Sequence, residues 1–562
     1  MKPPARGLTI LLAGLHWASS PRALVSEHGV PSIQFSNIAA KAGIEARISN
    51  GGAAKRWIAE ANGGGVAVLD YDLDGWMDVV LVSGASMQDL GKIAGGGTPD
   101  PSEQRIYLYR NRNGLRFEDT TAESGLSSPY WATGISASDY DNDGDVDLLI
   151  TAIGLDLLFR NEGEGRFTEV GAQAGIARDP SWHTGSSFGD IDADGDLDLF
   201  VAGYLDLGAL EVSGEAPVCD YRGLEVFCGP MGLAPAPDTL YRNNGDGTFT
   251  DVSDDAGVLD APAGYGFTAI IEDFNQDLAP DILVANDSSP NFLFLNRGSG
   301  GFAEDGLAAG LAYNADGRSQ ADMGACMGDY DSDGDLDLLT TTFSEDYFPL
   351  FRQEAPGLYE DASASAGLKR QTTPYLGWAC GFADLDNDGD RDIWLANGHV
   401  YPRAAQLGTT SYEQPVVILE NRSGRFRAVQ NATDSAPRNS YRGAASADFD
   451  NDGRVDLVVV PIDGAPLLLH NRSTGTGSWT GVAPRFSVGN TEGIGSRVEI
   501  EQCGNRQVET IRSGDGYASR SDPRVHFGIG ECKTVERMVV TGPLGREFVY
   551  SNIPANQWVV LP

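Results

Sequence analysis

The stretch Asp139-Tyr140-Asp141-Asn142-Asp143-Gly144-Asp145-Val146-Asp147, followed by Leu148-Leu149-Ile150, decides how this chain folds. Carboxylates stand at positions 1, 3, 5 and 9, glycine at position 6, and an apolar run follows. Related copies begin at Asp70, Asp190, Asp273, Asp329, Asp384 and Asp448, so the chain carries seven. Alternate residues of a tight turn aim their side chains at one centre. A glycine at position 6 tolerates the positive φ that bends the backbone inward. Such a cage of oxygens suits Ca²⁺, which takes six to eight, better than Mg²⁺, which keeps its waters and demands an octahedron.

The expected ligands are therefore Asp70, Asp72, Asp74, the carbonyl of Trp76 and Asp78 in the first loop, and Asp139, Asp141, Asp143, Asp145 and Asp147 in the second. The third offers Asp190, Asp192, Asp194, Asp196 and Asp198. The fourth offers Asp273, Asn275, Asp277 and Asp281, but puts Leu278 where glycine belongs. The fifth has Asp329, Asp331, Asp333, Asp335 and Asp337, and the sixth Asp384, Asp386, Asp388, Asp390 and Asp392. The seventh has Asp448, Asp450, Asp452, the carbonyl of Arg454 and Asp456. Six to seven Ca²⁺ ions are expected, with the fourth loop in question.

These are not EF-hands, which need a glutamate at position 12 between two helices. Position 12 is Leu81, Ile150, Val201, Thr340, Leu395 or Val459 in the regular copies. The residues after each loop are short apolar, β-branched runs, so each loop joins two strands. A third strand ending in Arg-Asn or similar, as in Leu157-Leu158-Phe159-Arg160-Asn161, and a fourth beginning with phenylalanine complete the unit. Four strands per repeat is the size of a propeller blade. No phenylalanine-led strand follows the seventh loop, and the spare copy is Ile33–Ile44. That segment is expected to supply the outer strand of the last blade and close the ring. Closure removes exposed sheet edges. The predicted fold is an all-β, seven-bladed β-propeller over 30–475, followed by a small β domain over 476–562.

Net charge is −40, from 80 acidic and 40 basic residues, and the loops account for much of the excess. Such a surface argues against nucleic-acid phosphates and gives anionic lipid nothing to grip. No apolar run is long enough to span a membrane. Lys2 and Arg6 before Leu8–Leu15, then small residues near Ala18, read as a secretory signal over 1–25. The expected location is extracellular, or periplasmic or cell-surface in a bacterium. Cys219 and Cys228 share one insertion, Cys326 and Cys380 precede neighbouring loops, and Cys503 and Cys532 share the last region. Disulfide staples in an oxidising compartment are the expectation.

The Asp-x-Asp-x-Asp-Gly-x-x-Asp unit after Gly63-Gly64-Gly65-Val66 resembles the FG-GAP or VCBS repeats of integrin-type propellers. Asn490–Val498, Ser513-Gly514-Asp515-Gly516-Tyr517, His526-Phe527-Gly528 and Val539–Gly545 resemble the ASPIC/UnbV domain, although its usual Trp-Pro is Gly542-Pro543 here. With Val284–Asn291, Asn314–Arg318 and Asn397–Val400, the whole is similar to the cartilage acidic protein family and its bacterial relatives.

No HExxH, GxSxG, Walker or dinucleotide motif appears. His399, and His183 with Trp182 and Trp378, are the residues to watch; a turn histidine and aromatic packing are the plainer readings. The expected role is a secreted, non-enzymatic calcium-binding module that holds an extracellular protein or glycan. A lectin-like sugar binder and a Ca²⁺-dependent polysaccharide lyase are the alternatives.

Overall fold

The computed structural model describes residues 33–561 except 98, 100–102, 177–179, 211–214, 299, 487–488 and 544. The expected leader over 1–25 lies outside the described residues. The fold is all-β and propeller-like. Among the described residues, seven four-stranded antiparallel units follow one another along the chain. The first comprises Val66–Leu69, Asp78–Val82, Ile106–Asn111 and Phe117–Asp119. The last is built from Tyr441–Ala447, Asp456–Pro461 and Leu467–Asn471, and its fourth strand is Phe35–Asn37, from the other end of the chain. Phe35 lies opposite Asn471 and Asn37 opposite Leu469.

The first strands of successive units touch in a closed order. Val66–Leu69 meets Trp131–Ser138, which meets Ser181–Gly189, and so on round to Tyr441–Ala447, which returns to Val66–Leu69. The second and third units are also hydrogen-bonded, Ser181 to Gly154 and Trp182 to Ile153.

Strand alternation explains how the units stack. Val79 and Leu81 pack toward the last unit, with Val458, Val460 and Leu468. Val80 and Val82, on the opposite face, pack toward the second unit, with Leu148 and Ile150. Every second strand is thus apolar on both faces, and full burial of such a side chain stabilises by about 1.5–3 kcal/mol.

The tail forms two small sheets. One orders Val525–Gly530, Ser478–Pro484 and Trp558–Leu561; the other Asn505–Thr510, Arg497–Gln502, Thr534–Thr541 and Glu547–Pro554. Between them the segment 513–522 enters the centre of the ring and meets all seven units. Ser513 accepts from the Phe188 amide at 2.6 Å, and Gly516 exchanges two backbone hydrogen bonds with Ala325. Thr268 donates to the Gly516 carbonyl at 3.0 Å, and Ile135 to that of Ala518 at 3.1 Å. Arg520 bonds Val66 and Val68, and Asp522 donates to Ser446. Tyr517 meets Trp378 edge-on with centroids 4.8 Å apart.

Cys219–Cys228 and Cys503–Cys532 are disulfides. The expectation of a staple at Cys326 and Cys380 is corrected: both are free thiols, fully buried on the first strands of adjacent units. Cys380 donates to the Leu339 carbonyl at 3.8 Å, so its thiol is already engaged by backbone.

Candidate metal centres

Each acidic loop joins the first and second strands of a unit, and position 9 is always the first residue of the second strand: Asp78, Asp147, Asp198, Asp281, Asp337, Asp392 and Asp456. In the second loop Asp139 accepts the amides of Asp143 and Gly144, each at 3.0 Å, through its two oxygens. The same pair of bonds recurs in the other loops, including Asp277 and Leu278 onto Asp273. The turn is thus preformed by its first aspartate.

Glycine at position 6 has φ between 82° and 106° in the six regular loops, and Leu278 adopts φ 70° in the fourth. Position 4 is also left-handed in all seven, at Leu73, Asn142, Ala193, Gln276, Ser332, Asn387 and Asn451. The sequence pattern did not announce this, because these side chains share no chemistry.

The position-3 carboxylate decides which loops suit a cation. Oδ1 of Asp72, Asp141, Asp192, Asp331, Asp386 and Asp450 is buried with no hydrogen-bond partner. An anionic oxygen stripped of water is costly unless a cation or donor meets it. One ligand atom from each of Asp139, Asp141 and Asp147 lies within 4.8 Å of the others, and equivalent triads occur at Asp70, Asp72 and Asp78, and at Asp329, Asp331 and Asp333. The donor set therefore fits an oxygen-seeking dication. In the fourth loop, among the described residues, no side-chain oxygen is buried without a partner. Asn275 turns instead onto Asp277, accepting its amide at 3.0 Å and donating to its carboxylate at 3.1 Å.

Burial raises the acids in the cation-free molecule. Asp139 and Asp190 rise to about 6, and Asp198 and Asp448 to about 8, with loss of hydration as the main cause.

A second ring of contacts ties the loops together. The third strand ends in Asn111, Asn161, Asn243, Asn296, Asn421 or Asn471, and in the fifth unit Gln353 stands two residues before the end. The backbone amide of each donates to the position-9 carboxylate of its own loop, at 2.6–3.0 Å. Its side-chain amide donates to the position-2 carbonyl of the preceding unit: Phe449, Tyr71, Tyr140, Ile191, Phe274, Tyr330 and Leu385 in turn. The Arg-Asn ending seen in the sequence is this latch.

The tail covers the loop face. Arg485 pairs with Asp70 at 3.0 Å, Thr491 donates to Asp139 at 2.6 Å, and Arg524 donates to the Asp448 carbonyl at 2.9 Å. At the opposite mouth lies a cavity of about 440 Å³, lined by Tyr204, Phe267, Trp378, Tyr401, Asp287 and Gln320 among others. His399 is wholly buried, accepts the Tyr401 amide at 3.0 Å and faces Ser344 at 3.1 Å. Burial and the Arg442 charge hold it down at about 3, so it is a neutral turn histidine. His183 is buried against Asp156 at 2.6 Å, and Trp182 packs edge-on to Tyr204.

Two regions of the chain match known families. Residues 70–150, 151–201 and 273–340 match the FG-GAP-like repeat, and 487–562 match ASPIC and UnbV. Mouse cartilage acidic protein 1 is 25% identical over 511 residues, covering 86% of this chain and 70% of that protein. The human protein is 24% identical over 511 residues, covering 86% and 69%. A structure of an Agrocybe aegerita lectin that recognises non-reducing terminal N-acetylglucosamine aligns over 72% of this chain and 86% of its own, at 16% identity and TM-score 0.37.

Proposed function

We propose that this chain, which carries FG-GAP-like repeats and an ASPIC and UnbV tail and is related to cartilage acidic protein 1, is an exported binding or scaffold module. In this reading it is a seven-bladed propeller pinned by Ca²⁺ in its first, second, third, fifth and sixth loops and by a divalent cation in the seventh. The carrying observation is the position-3 oxygen, buried and unpartnered in six loops and absent from that condition in the fourth. Ca²⁺ is structural here: each ion bound only by the folded chain adds about 2.7 kcal/mol at a hundredfold excess over Kd.

The tail occupies the loop face, so the free mouth of the ring is the ligand face. Its cavity combines aromatic walls with Asp287 and with Gln320, whose Oε1 is buried without a partner. That combination suits a polar extracellular ligand, a protein segment or a glycan. Two measurements test the reading. Metal analysis after dialysis should find bound Ca²⁺, and chelator should lower the melting point; an unchanged midpoint would overturn the structural role. Glycan-array and pull-down binding, with Ca²⁺ present, should weaken in Gln320→Ala if the cavity is the ligand site.

A further inference from the structure

The identity of the residue before each latch changes round the ring. It is Arg110, Arg160, Arg242, Leu295, Arg352, Glu420 and His470 in chain order. Arg110 pairs with Asp72 at 2.5 Å and Asp74 at 3.0 Å, and Arg352 approaches Asp331 at 4.0 Å. A guanidinium there competes with a cation for the same oxygens. The seventh unit alone offers a nitrogen that can join the cage.

Three features set this loop apart. His470 is buried, with Nδ1 3.1 Å from Asp456 Oδ1, and one ligand atom each of Asp450, Asp456 and His470 lies within 4.8 Å of the others. In the other six loops the second oxygen of the position-9 aspartate accepts the position-2 amide. Asp456 Oδ2 has no such partner, although Asp456 is 0% exposed. Finally, the Arg454 guanidinium pairs with the Asp452 carboxylate, while its Nε donates to the Asn471 carbonyl at 3.1 Å. That guanidinium competes with a cation for the position-5 oxygens.

Fewer oxygens and one imidazole are the wrong set for Ca²⁺, which needs six to eight oxygens. They suit a first-row dication that accepts mixed nitrogen and carboxylate ligands at low coordination number. We propose that the seventh loop is a transition-metal site, with Zn²⁺ or a similar ion held by His470 Nδ1, Asp450 and Asp456. The ring proton then sits on Nε2. This rests on the reading of the other regular loops as cation cages, but it is separately testable.

The test uses the full mature chain, stripped with chelator and dialysed against excess Ca²⁺ with added Zn²⁺, and reads both metals by mass spectrometry. Wild type should retain one Zn²⁺ per chain. His470→Gln should lose it while keeping its Ca²⁺ content, which also reports that the variant is folded. Co²⁺ substituted into wild type should show a hyperfine-shifted, exchangeable imidazole N–H resonance, a readout that needs no variant. Zn²⁺ displaced by Ca²⁺ in wild type, Zn²⁺ retained unchanged in His470→Gln, or a Co²⁺ spectrum without that resonance would overturn the proposal. Loss of all Ca²⁺ binding with Zn²⁺ retained would sink the calcium reading and support this one.

Discussion

The side-chain amide of Asn161 donates to the main-chain carbonyl of Tyr71, 2.9 Å away, and so joins the second unit to the acidic loop of the first. The same side chain donates to Val146 within its own loop. Removing it leaves two buried carbonyls short of a donor, at about 1–3 kcal/mol. Asn161→Ala should lower the melting midpoint by several degrees, and Asn161→Asp should do so too, because a carboxylate cannot donate. A midpoint within error of wild type for both would show that the latch carries no weight.

Leu278 holds φ 70° with its side chain 62% exposed. Left-handed backbone costs a residue with a Cβ roughly 1–2 kcal/mol, and the exposed side chain offers little burial to offset it. Leu278→Gly should therefore raise thermal stability. It should not create a cation site, since Asn275 remains turned onto Asp277. Calcium content equal to wild type, with a higher midpoint, is the expected pair of results.

Stability should depend on pH in opposite senses with and without the ion. In chelator, Asp139 and Asp190 at about 6 and Asp198 and Asp448 at about 8 lie above the ordinary carboxylate value of roughly 3.9. The folded chain then binds protons more tightly than the unfolded chain. That contribution is full below pH ~4 and is lost as pH rises through ~6 to ~8. The metal-free protein should melt lower at pH 8 than at pH 5. In excess Ca²⁺ the slope should reverse, because the ion displaces those protons. Thermal melts across that range, run in both conditions, check the sign.

Tyr517 is wholly buried at the centre of the ring, where it meets Trp378 and Phe267 and its hydroxyl accepts the Gly63 amide at 3.3 Å. Tyr517→Ala should cost about 3–5 kcal/mol. It should also increase amide exchange in the first strands of several units at once, since the segment around it contacts all of them. Exchange confined to the tail would contradict an axial role.

Much of this was legible because a repeat multiplies its own signal. The loop spacing marks the strand junctions, and the phenylalanine-led segment at 33–44 has its counterpart in the pairing of Phe35–Asn37 with Leu467–Asn471. The asparagine at the end of six of the seven third strands was visible, but its partner was not, since a carbonyl one repeat earlier leaves no mark in the sequence. Left-handed position 4 was hidden for the same reason: backbone geometry enforced by flanking hydrogen bonds accepts leucine, alanine and serine alike. Two of three cysteine pairings followed from proximity along the chain, whereas Cys326 and Cys380 lie on adjacent units without being joined. The tail's signature at Ser513–Tyr517 gave no hint that it fills the ring, because that contact joins segments hundreds of residues apart.

The axial segment has a consequence for biosynthesis. Its hydrogen bonds reach units that leave the ribosome first and last, from Val66 to Ser446, yet the segment itself emerges after all of them. Phe35–Asn37 likewise waits for Leu467–Asn471. Neither lock can engage during translation of the earlier units, so a nascent chain carries an unfinished sheet edge and an open hub until nearly the end of synthesis. Truncation by even the last tenth of the chain therefore yields a product missing its axle, a late rather than an early folding failure.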